Sequence, residues 1–437
     1  MSNRVRFAPS PTGHVHIGNI RVAIFNWLFA RHEGGKFLLR IEDTDRERHT
    51  KEAVDALFDV MNWLGLDYDE EPVFQSARRD AHLAAADRLL TEGKAYKEDK
   101  GNTGKGECII FRMPNEDVVF NDEIKGELAK KAKDLQDFVI VRSDGAPVFH
   151  LANIVDDIDM KITHVIRGDD HVENTFRHVL IYKALGIKPP KYAHLPMIIN
   201  QQGKPYSKRD GDCFVGEFRA KGFLADALFN YLAFLGWSPG GDREKLSRQE
   251  LMELFSLDRV KSSPAQMDLK KLTHLNGQYV AELPANDFIA AAGRVVENYE
   301  WATGVDKDYF AKVCRLMQTR THVYSFVKDW KYFFSDDIEY EEKPVRKMLK
   351  KPGMKTTLAV LRGKLDNIGF SEESIEETIR AVEKESNISE GKLNQPVRIA
   401  VTGMSTGAGL YETMALIGKA RCLVRLGYAI DHLCEED

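Results

Sequence analysis

The chain has 437 residues, enough for two or more domains with their own cores, and its 43% hydrophobic and 30% charged residues exclude a disordered polymer. A net charge of −5 excludes a general polycation, so contact with nucleic acid has to come from local basic patches. No apolar run reaches the length of a membrane span. The first strand-like run starts near the fourth residue, which leaves no room for a leader and makes a cytoplasmic location the expectation.

Val5 and Phe7 alternate with Arg4 and Arg6 as in a short strand, which Pro9 and Pro11 end. Thr12 and Gly13 lead into His14, Val15 and His16, after which Gly18 to Ala30 carries Ile20, Ala23, Ile24, Trp27 and Leu28 at helical spacing. The two histidines thus precede a helix N-terminus, where free backbone N–H groups and the helix dipole suit a triphosphate. Imidazole N–H groups would add donors, and Gly18 would let a ligand approach the backbone.

Lys36 to Ile41 and Phe138 to Arg142 are strand-like and alternate with helical stretches to about residue 200, which predicts a parallel α/β sheet. Asp43 and Asp45 suit the cap of a helix beginning near Arg46. The turn GNTGKG (Gly101 to Gly106) reads as flexible. GKPYSKRDG (Gly203 to Gly211) is a glycine-bounded loop in which Ser207, Lys208 and Arg209 are consecutive donors.

From about residue 212 the pattern turns helical and stays so. Leu224 to Leu235 is apolar and aromatic, and Lys312 to Leu426 shows amphipathic segments broken at Pro344, Pro352, Gly363, Gly391 and Gly403. Several of Lys343, Arg346, Lys347, Lys350 and Lys351 recur at helical spacing, which reads either as an ordinary solvated face or as a phosphate-contacting patch. TGMSTGAGL (Thr402 to Leu410) follows a strand-like VRIAV and superficially resembles a dinucleotide loop. Arg421 and Arg425 stand where that loop's acidic residue belongs, so the segment reads as structural. Cys108, Cys213, Cys314, Cys422 and Cys434 include no CxxC pair and no Cys/His cluster, so neither a disulfide framework nor a zinc site is expected. His150, His164 and His171 have no ligand spacing and read as structural.

HVHIGN (His14 to Asn19) and the SKR loop together resemble the paired HIGH and KMSKS signatures of class I aminoacyl-tRNA synthetases. The blocks FNWLFARHEGGKFLLRIEDTDRERHT, WLGLDYDE, DDIDMKITHVIRGDDH, HLPMIINQQGKPYSKRDG, DLKKLTHLNGQYV and QPVRIAVTG resemble the bacterial-type glutamyl-tRNA synthetases and span nearly the whole chain. The resemblance implies a multidomain α/β plus all-α protein. A Rossmann-type parallel sheet would occupy residues 1–76 and 150–211, split by an acceptor-binding insertion at 77–149. A helical stem-contact domain would follow at 212–283, and a helical anticodon-binding region at 284–437. The helical tail distinguishes this type from relatives that carry β-barrels after the loop signature.

The implied activity is ATP-dependent ligation of glutamate to tRNA(Glu) through a glutamyl-adenylate, with magnesium on the phosphates and no zinc. His16, Lys208 and Ser207 would be catalytic. His14, Gly18, Asn19, Asp170 and Arg209 would join them around ATP. Glutamate would meet Arg6 at its side-chain carboxylate, Glu42 at its α-ammonium and Arg167 as a second carboxylate contact, with Ala8, Ser10, Phe149 and Asn153 lining the pocket. Phe149 replaces the family's usual tyrosine, and Pro205 replaces the first lysine of the loop signature, one residue after Lys204. Two alternatives stand beside this reading: an enzyme that also charges tRNA(Gln) with glutamate, and a tRNA-binding paralogue without aminoacylation. A small adenylyltransferase would not need the helical half. Family members of this length are commonly monomers.

Overall fold

The computed structural model describes residues 2–11, 13–44, 50–99, 106–297 and 299–436. Strand β1 (Arg4–Phe7) pairs in parallel with β2 (Lys36–Ile41), and both are buried beyond their first residue, as a strand covered on both faces requires. Helix α1 (Ile17–His32) makes the crossover and is buried around nearly its whole circumference from Ile20 to Ala30. Thr50 caps α2 (Lys51–Trp63) by accepting from Ala53 N, and β3 (Val73–Phe74) adds to β2 in parallel.

Helix α3 (Arg79–Thr91) leads into β4 (Ala95–Glu98), β5 (Cys108–Phe111), the hairpin β6 (Val118–Asp122) and β7 (Gly126–Lys130), and β8 (Phe138–Val141). Helix α4 (Phe149–Asp159), β9 (His164–Gly168), α5 (Val172–Ala184) and β10 (Lys191–Leu195) follow. β9 and β10 pair in parallel with Arg167 opposite His194. β1 lies beside β9, where Thr163 N donates to Arg4 O at 2.9 Å. The chain therefore has the predicted parallel α/β core, but Phe138–Val141 is not in it: β8 joins β4 and β5 in an antiparallel sheet. A short apolar run looks the same in either kind of sheet. The β6–β7 hairpin instead extends the parallel core, β6 pairing with β10.

One compact unit comprises Met1–Ala220 and Ala225–Leu272, the other Lys221–Leu224 and Thr273–Asp437. The helical pattern after residue 212 is interrupted by Ala265–Gln266, which pairs in parallel with Ile198–Ile199. The second unit is helical around a core that includes Phe288, Val313, Phe333, Leu358, Ile379, Val397, Met414 and Leu426. VRIAV is helical, within Asn394–Thr402, and Gly403 ends that helix at φ 76°. Its β-branched residues Val397, Ile399 and Val401 stand at alternate positions, which imitates a strand. Gly363 is no break, since it lies inside the helix Met354–Leu365, whereas Gly391 and Gly403 do sit at left-handed turns. Among the described residues no helix is long and apolar enough to cross a membrane.

Thr12, Asp45, Arg46 and the Gly101 to Lys105 part of the glycine-rich turn lie outside the described residues. Asp43 does not cap α2. Its carboxylate accepts from Ser76 N at 2.8 Å and Ser76 Oγ at 2.6 Å.

Candidate active site

At the N-terminus of α1 the expected free N–H groups are already used. His16 is the N-cap, and its Nδ1 accepts from Gly18 N at 3.0 Å; Ile17 N donates to Cys213 O at 2.9 Å and Asn19 N to His16 O at 3.0 Å. The capping bond places the proton of the neutral ring on Nε2, where the Tyr206 backbone also favours a bound proton. Burial lowers the His16 pKa, which keeps that neutral form. Gly18 has a local reason as well: a Cβ there would lie 3.1 Å from His16 Nδ1. His14 is exposed, with its ring against Phe214 at 5.2 Å between centroids.

The SKR loop is braced from within. Asp210 accepts from Ser207 N and Ser207 Oγ, each at 2.9 Å, and from Asn200 Nδ2 at 2.6 Å. The Ser207 hydroxyl is thus committed to the loop, while Lys208 and Arg209 are exposed. Pro205 pairs with Ile199 in a short bridge, and Tyr206 N donates to Ile198 O at 2.9 Å.

Between these elements, at the C-terminal ends of the strands, lies a cavity of about 670 Å³. Its wall gathers Arg6, Ala8, Ser10, Glu42, Phe149, Asn153 and Arg167 with His16, Gly18, Asn19 and Asp170. His14, Ser207, Lys208 and Arg209 are not on this lining. His171, expected to be structural, is on it, as are Arg21, Pro205 and Tyr206. A ligand crevice beyond the strand ends is where an open α/β sheet binds its substrate.

The charges in the wall fall into two groups. Arg6, 3% exposed, donates through Nε to Asp157 Oδ1 at 3.0 Å and through Nη2 to Asp157 Oδ2 at 3.3 Å. Arg40 joins Asp157 to Glu42, and Glu42 Oε1 also accepts from Asn153 Nδ2 at 3.1 Å. Burial opposes the Asp157 charge, but Arg40 and Arg6 beside it hold its pKa below the usual carboxylate range. Burial likewise opposes Arg40, and the Asp157 and Glu42 carboxylates outweigh it and raise its pKa.

Arg167 differs. It is 6% exposed and donates to Thr175 Oγ1 at 2.7 Å, His171 O at 3.3 Å and His194 Nε2 at 3.3 Å, with no carboxylate paired to it among the described residues. Burial brings its pKa down to about 10. Burial also lowers the neighbouring His171, His178 and His194, and with the Arg177 and Arg167 charges it takes His150 to about 4. The guanidinium is therefore a buried positive charge among neutral rings. Phe149 packs against His150, His171 and His178, each at 5.6 Å between centroids.

Sequence reasoning does not single out Asp157, Arg40 or His194 as site residues. The first two are the second acid of IVDD and the arginine of RIED, but a carboxylate doublet in a helix says nothing about which member turns inward. In the second unit the basic segment is not a regular helical face. Glu342–Pro344 runs into a π-helical turn at Val345–Leu349, which ends the regular spacing before Lys350 and Lys351. Lys343, Arg346, Lys347, Lys350 and Lys351 are all exposed, and Lys350 lies 3.7 Å from Glu435. No cluster of three or more His, Cys, Asp or Glu among the described residues is placed to hold a metal ion.

A crossover α/β sheet with such a cavity, a histidine-capped first helix and a braced lysine loop defines a class I aminoacyl-tRNA synthetase, and the comparisons agree. The family model for the catalytic domain of class I tRNA synthetases (E and Q) matches residues 2–103 and 97–274, and that for an anticodon binding domain matches 287–430. The chain is 38% identical to the glutamate–tRNA ligase of Thermodesulfovibrio yellowstonii, over 98% of this chain and 99% of that one. It is also 38% identical to the glutamate–tRNA ligase of Desulforudis audaxviator, over 98% and 96%. The crystal structure of a glutamate tRNA ligase from Elizabethkingia meningosepticum in complex with its amino acid superposes with a TM-score of 0.83 at 30% identity, covering 99% of this chain and 100% of that one. The chain belongs to the glutamate–tRNA ligases, class I synthetases that use ATP to join glutamate to tRNA.

Proposed function

We propose that the cavity carries out this ligation in two steps, with its side chains positioning and neutralising rather than forming bonds. The observation that carries the reading is that Arg167, buried and paired with no carboxylate among the described residues, lines the same cavity as Glu42. Glutamate lies with its side-chain carboxylate on Arg167 and Arg6 and its α-ammonium on Glu42, beside Asn153, Ala8 and Ser10. Glutamine offers no charge to Arg167 and leaves a buried guanidinium unpaired, the kind of polar mismatch a site rejects strongly. Phe149 supplies packing without a hydroxyl, so the two arginines carry the carboxylate.

An oxygen of the α-carboxylate attacks the α-phosphorus of ATP and pyrophosphate leaves. The terminal ribose hydroxyl of tRNA then attacks the adenylate carbonyl and AMP leaves. His16 Nε2–H donates to phosphate, Gly18, Asn19 and Asp170 flank the nucleotide, and Lys208 and Arg209 swing in from the loop as charge moves to pyrophosphate. Ser207 holds the loop through Asp210, and His14 stands at the rim. Magnesium arrives with the triphosphate, and we assign it no cage of protein ligands.

The cognate RNA is tRNA(Glu). Residues 77–149 receive its acceptor end, 212–283 its stem and 284–437 its anticodon, where Lys343, Arg346, Lys347, Lys350 and Lys351 meet phosphates. The protein works in the cytoplasm as a monomer.

The test is aminoacylation with labelled glutamate and labelled glutamine on tRNA(Glu) and tRNA(Gln) transcripts, with Lys208→Ala beside the parent chain. Glutamate transfer to tRNA(Glu) that falls roughly 100-fold or more in kcat with Lys208→Ala is expected. Transfer to tRNA(Gln) as well would make the enzyme non-discriminating. A parent chain that binds tRNA yet charges neither transcript would overturn the reading.

A further inference from the structure

We propose that Asp122, carried by the β6–β7 hairpin, is a positioning residue for glutamate binding, acting through His194 on Arg167. The proposal rests on the reading of Arg167 as a glutamate-binding arginine. Asp122 and His194 are both buried, on strands that pair in parallel. One Asp122 oxygen accepts from Ile124 N at 3.0 Å and Lys125 N at 2.9 Å, and the other accepts from His194 Nδ1 at 2.6 Å. His194 N adds a further bond to the same carboxylate at 3.1 Å.

The consequence lies on the far side of the ring. With Nδ1–H donated to Asp122, the neutral imidazole has its lone pair on Nε2, and Nε2 lies 3.3 Å from Arg167 Nε and 2.9 Å from Thr175 Oγ1. A guanidinium only donates, so it needs an acceptor there. Thr175 Oγ1 accepts from Arg167 Nη2 at 2.7 Å, which fixes a second edge, and donates its own proton to the same His194 Nε2. With Nε and Nη2 anchored, Nη1 has no hydrogen-bond partner among the described residues and is the edge open to a carboxylate. The opposite tautomer would aim an N–H at another N–H and turn Arg167 away.

The same hairpin reaches the cavity a second time, where Lys125 Nζ meets Asp169 Oδ2 at 2.9 Å. A strand from the segment between the two halves of the catalytic fold thus completes the amino-acid site from behind. No bond is made or broken by Asp122 or His194. They set an orientation, as outer-shell carboxylates set that of metal-bound histidines.

Asp122→Asn tests this with little change of shape. The amide oxygen keeps the Ile124 and Lys125 N–H groups, and the amide N–H₂ then faces His194 Nδ1 and forces the proton to Nε2. Imidazole ¹⁵N spectra should show His194 protonated on Nδ1 in the parent and on Nε2 in Asp122→Asn. In aminoacylation the glutamate KM should rise about tenfold, the scale of one charge-assisted hydrogen bond, with the ATP KM unchanged. Thr175→Val, which leaves the tautomer alone and removes the second anchor, should raise the glutamate KM in the same direction. Unchanged glutamate KM in both variants, or glutamate and ATP KM rising together, would overturn the proposal. Failure of the underlying reading looks different, because Arg167→Met would then leave the glutamate KM unaltered whatever the spectra show.

Discussion

Arg6 and Arg167 stand on the neighbouring strands β1 and β9 and face one cavity, yet the protein treats their charges in opposite ways. Arg6 belongs to a closed network in which Asp157, Arg40 and Glu42 alternate in sign, each 8% exposed or less. Arg167 is held by a hydroxyl, a carbonyl and a neutral imidazole, none of which offsets its charge. The first arrangement balances its charges before a ligand arrives and holds Arg6 and Glu42 in place for it. The second is completed only by an anion, so the free energy of burying Arg167 alone is recovered when a carboxylate binds.

Breaking the closed network should have the largest effect. Asp157→Ala leaves Arg6 and Arg40 buried without their shared carboxylate, and removing one partner of such a pair costs about 3–5 kcal/mol. The urea midpoint of the first unit's unfolding should fall accordingly; a midpoint unmoved would mean that water already reaches the pair.

Mild acid should separate the two poles. A histidine with a lowered folded pKa binds fewer protons folded than unfolded, so its stability contribution falls as pH drops below the unfolded value of about 6.5 toward the folded value. His150, at about 4, and His178, well below its ordinary value, then weaken the Arg167 side from about pH 6.5 downward, each ring adding a slope of at most about 1.4 kcal/mol per pH unit. Asp157 has the opposite sign: its contribution is present above the unfolded value of about 3.9 and is lost only as pH falls through its lower folded value. Denaturation curves for the first unit should lose stability between pH 6.5 and 4, and His150→Gln should flatten them. A flat profile down to pH 4.5 would contradict the neutral histidine surround.

The smallest effect is expected far from either arginine. Arg346→Glu with Lys347→Glu should weaken tRNA binding, reduce its dependence on salt and leave the glutamate KM alone. Equal tRNA affinity at low salt would make the π-helical turn an ordinary surface.

The local patterns that showed in the sequence were those with one physical solution. Prolines 9 and 11 ending β1, the apolar run of α1 and the buried run Lys36–Ile41 could hardly be placed elsewhere. VRIAV and Phe138–Val141 misled because short buried runs carry no period that separates helix from strand, or one sheet from another. At the site, the residues around the cavity were legible through matched blocks, but their partners were not. That His16 spends its Nδ1 on Gly18, or that Ser207 spends its hydroxyl on Asp210, depends on turns whose geometry no spacing rule encodes. Nor does sequence distance hint that Asp122 and His194, 72 positions apart, share a hydrogen bond.

Whether the unpaired charge of Arg167 reads the substrate's side-chain carboxylate is decided by the ratio of kcat/KM for glutamate over glutamine on tRNA(Glu) in Arg167→Met against the parent. Glutamate kcat/KM should fall roughly 100-fold, the cost of a lost buried charge pair, while that for glutamine changes little, so the ratio collapses. A ratio that survives the substitution would contradict it and pass the discrimination to Arg6 alone.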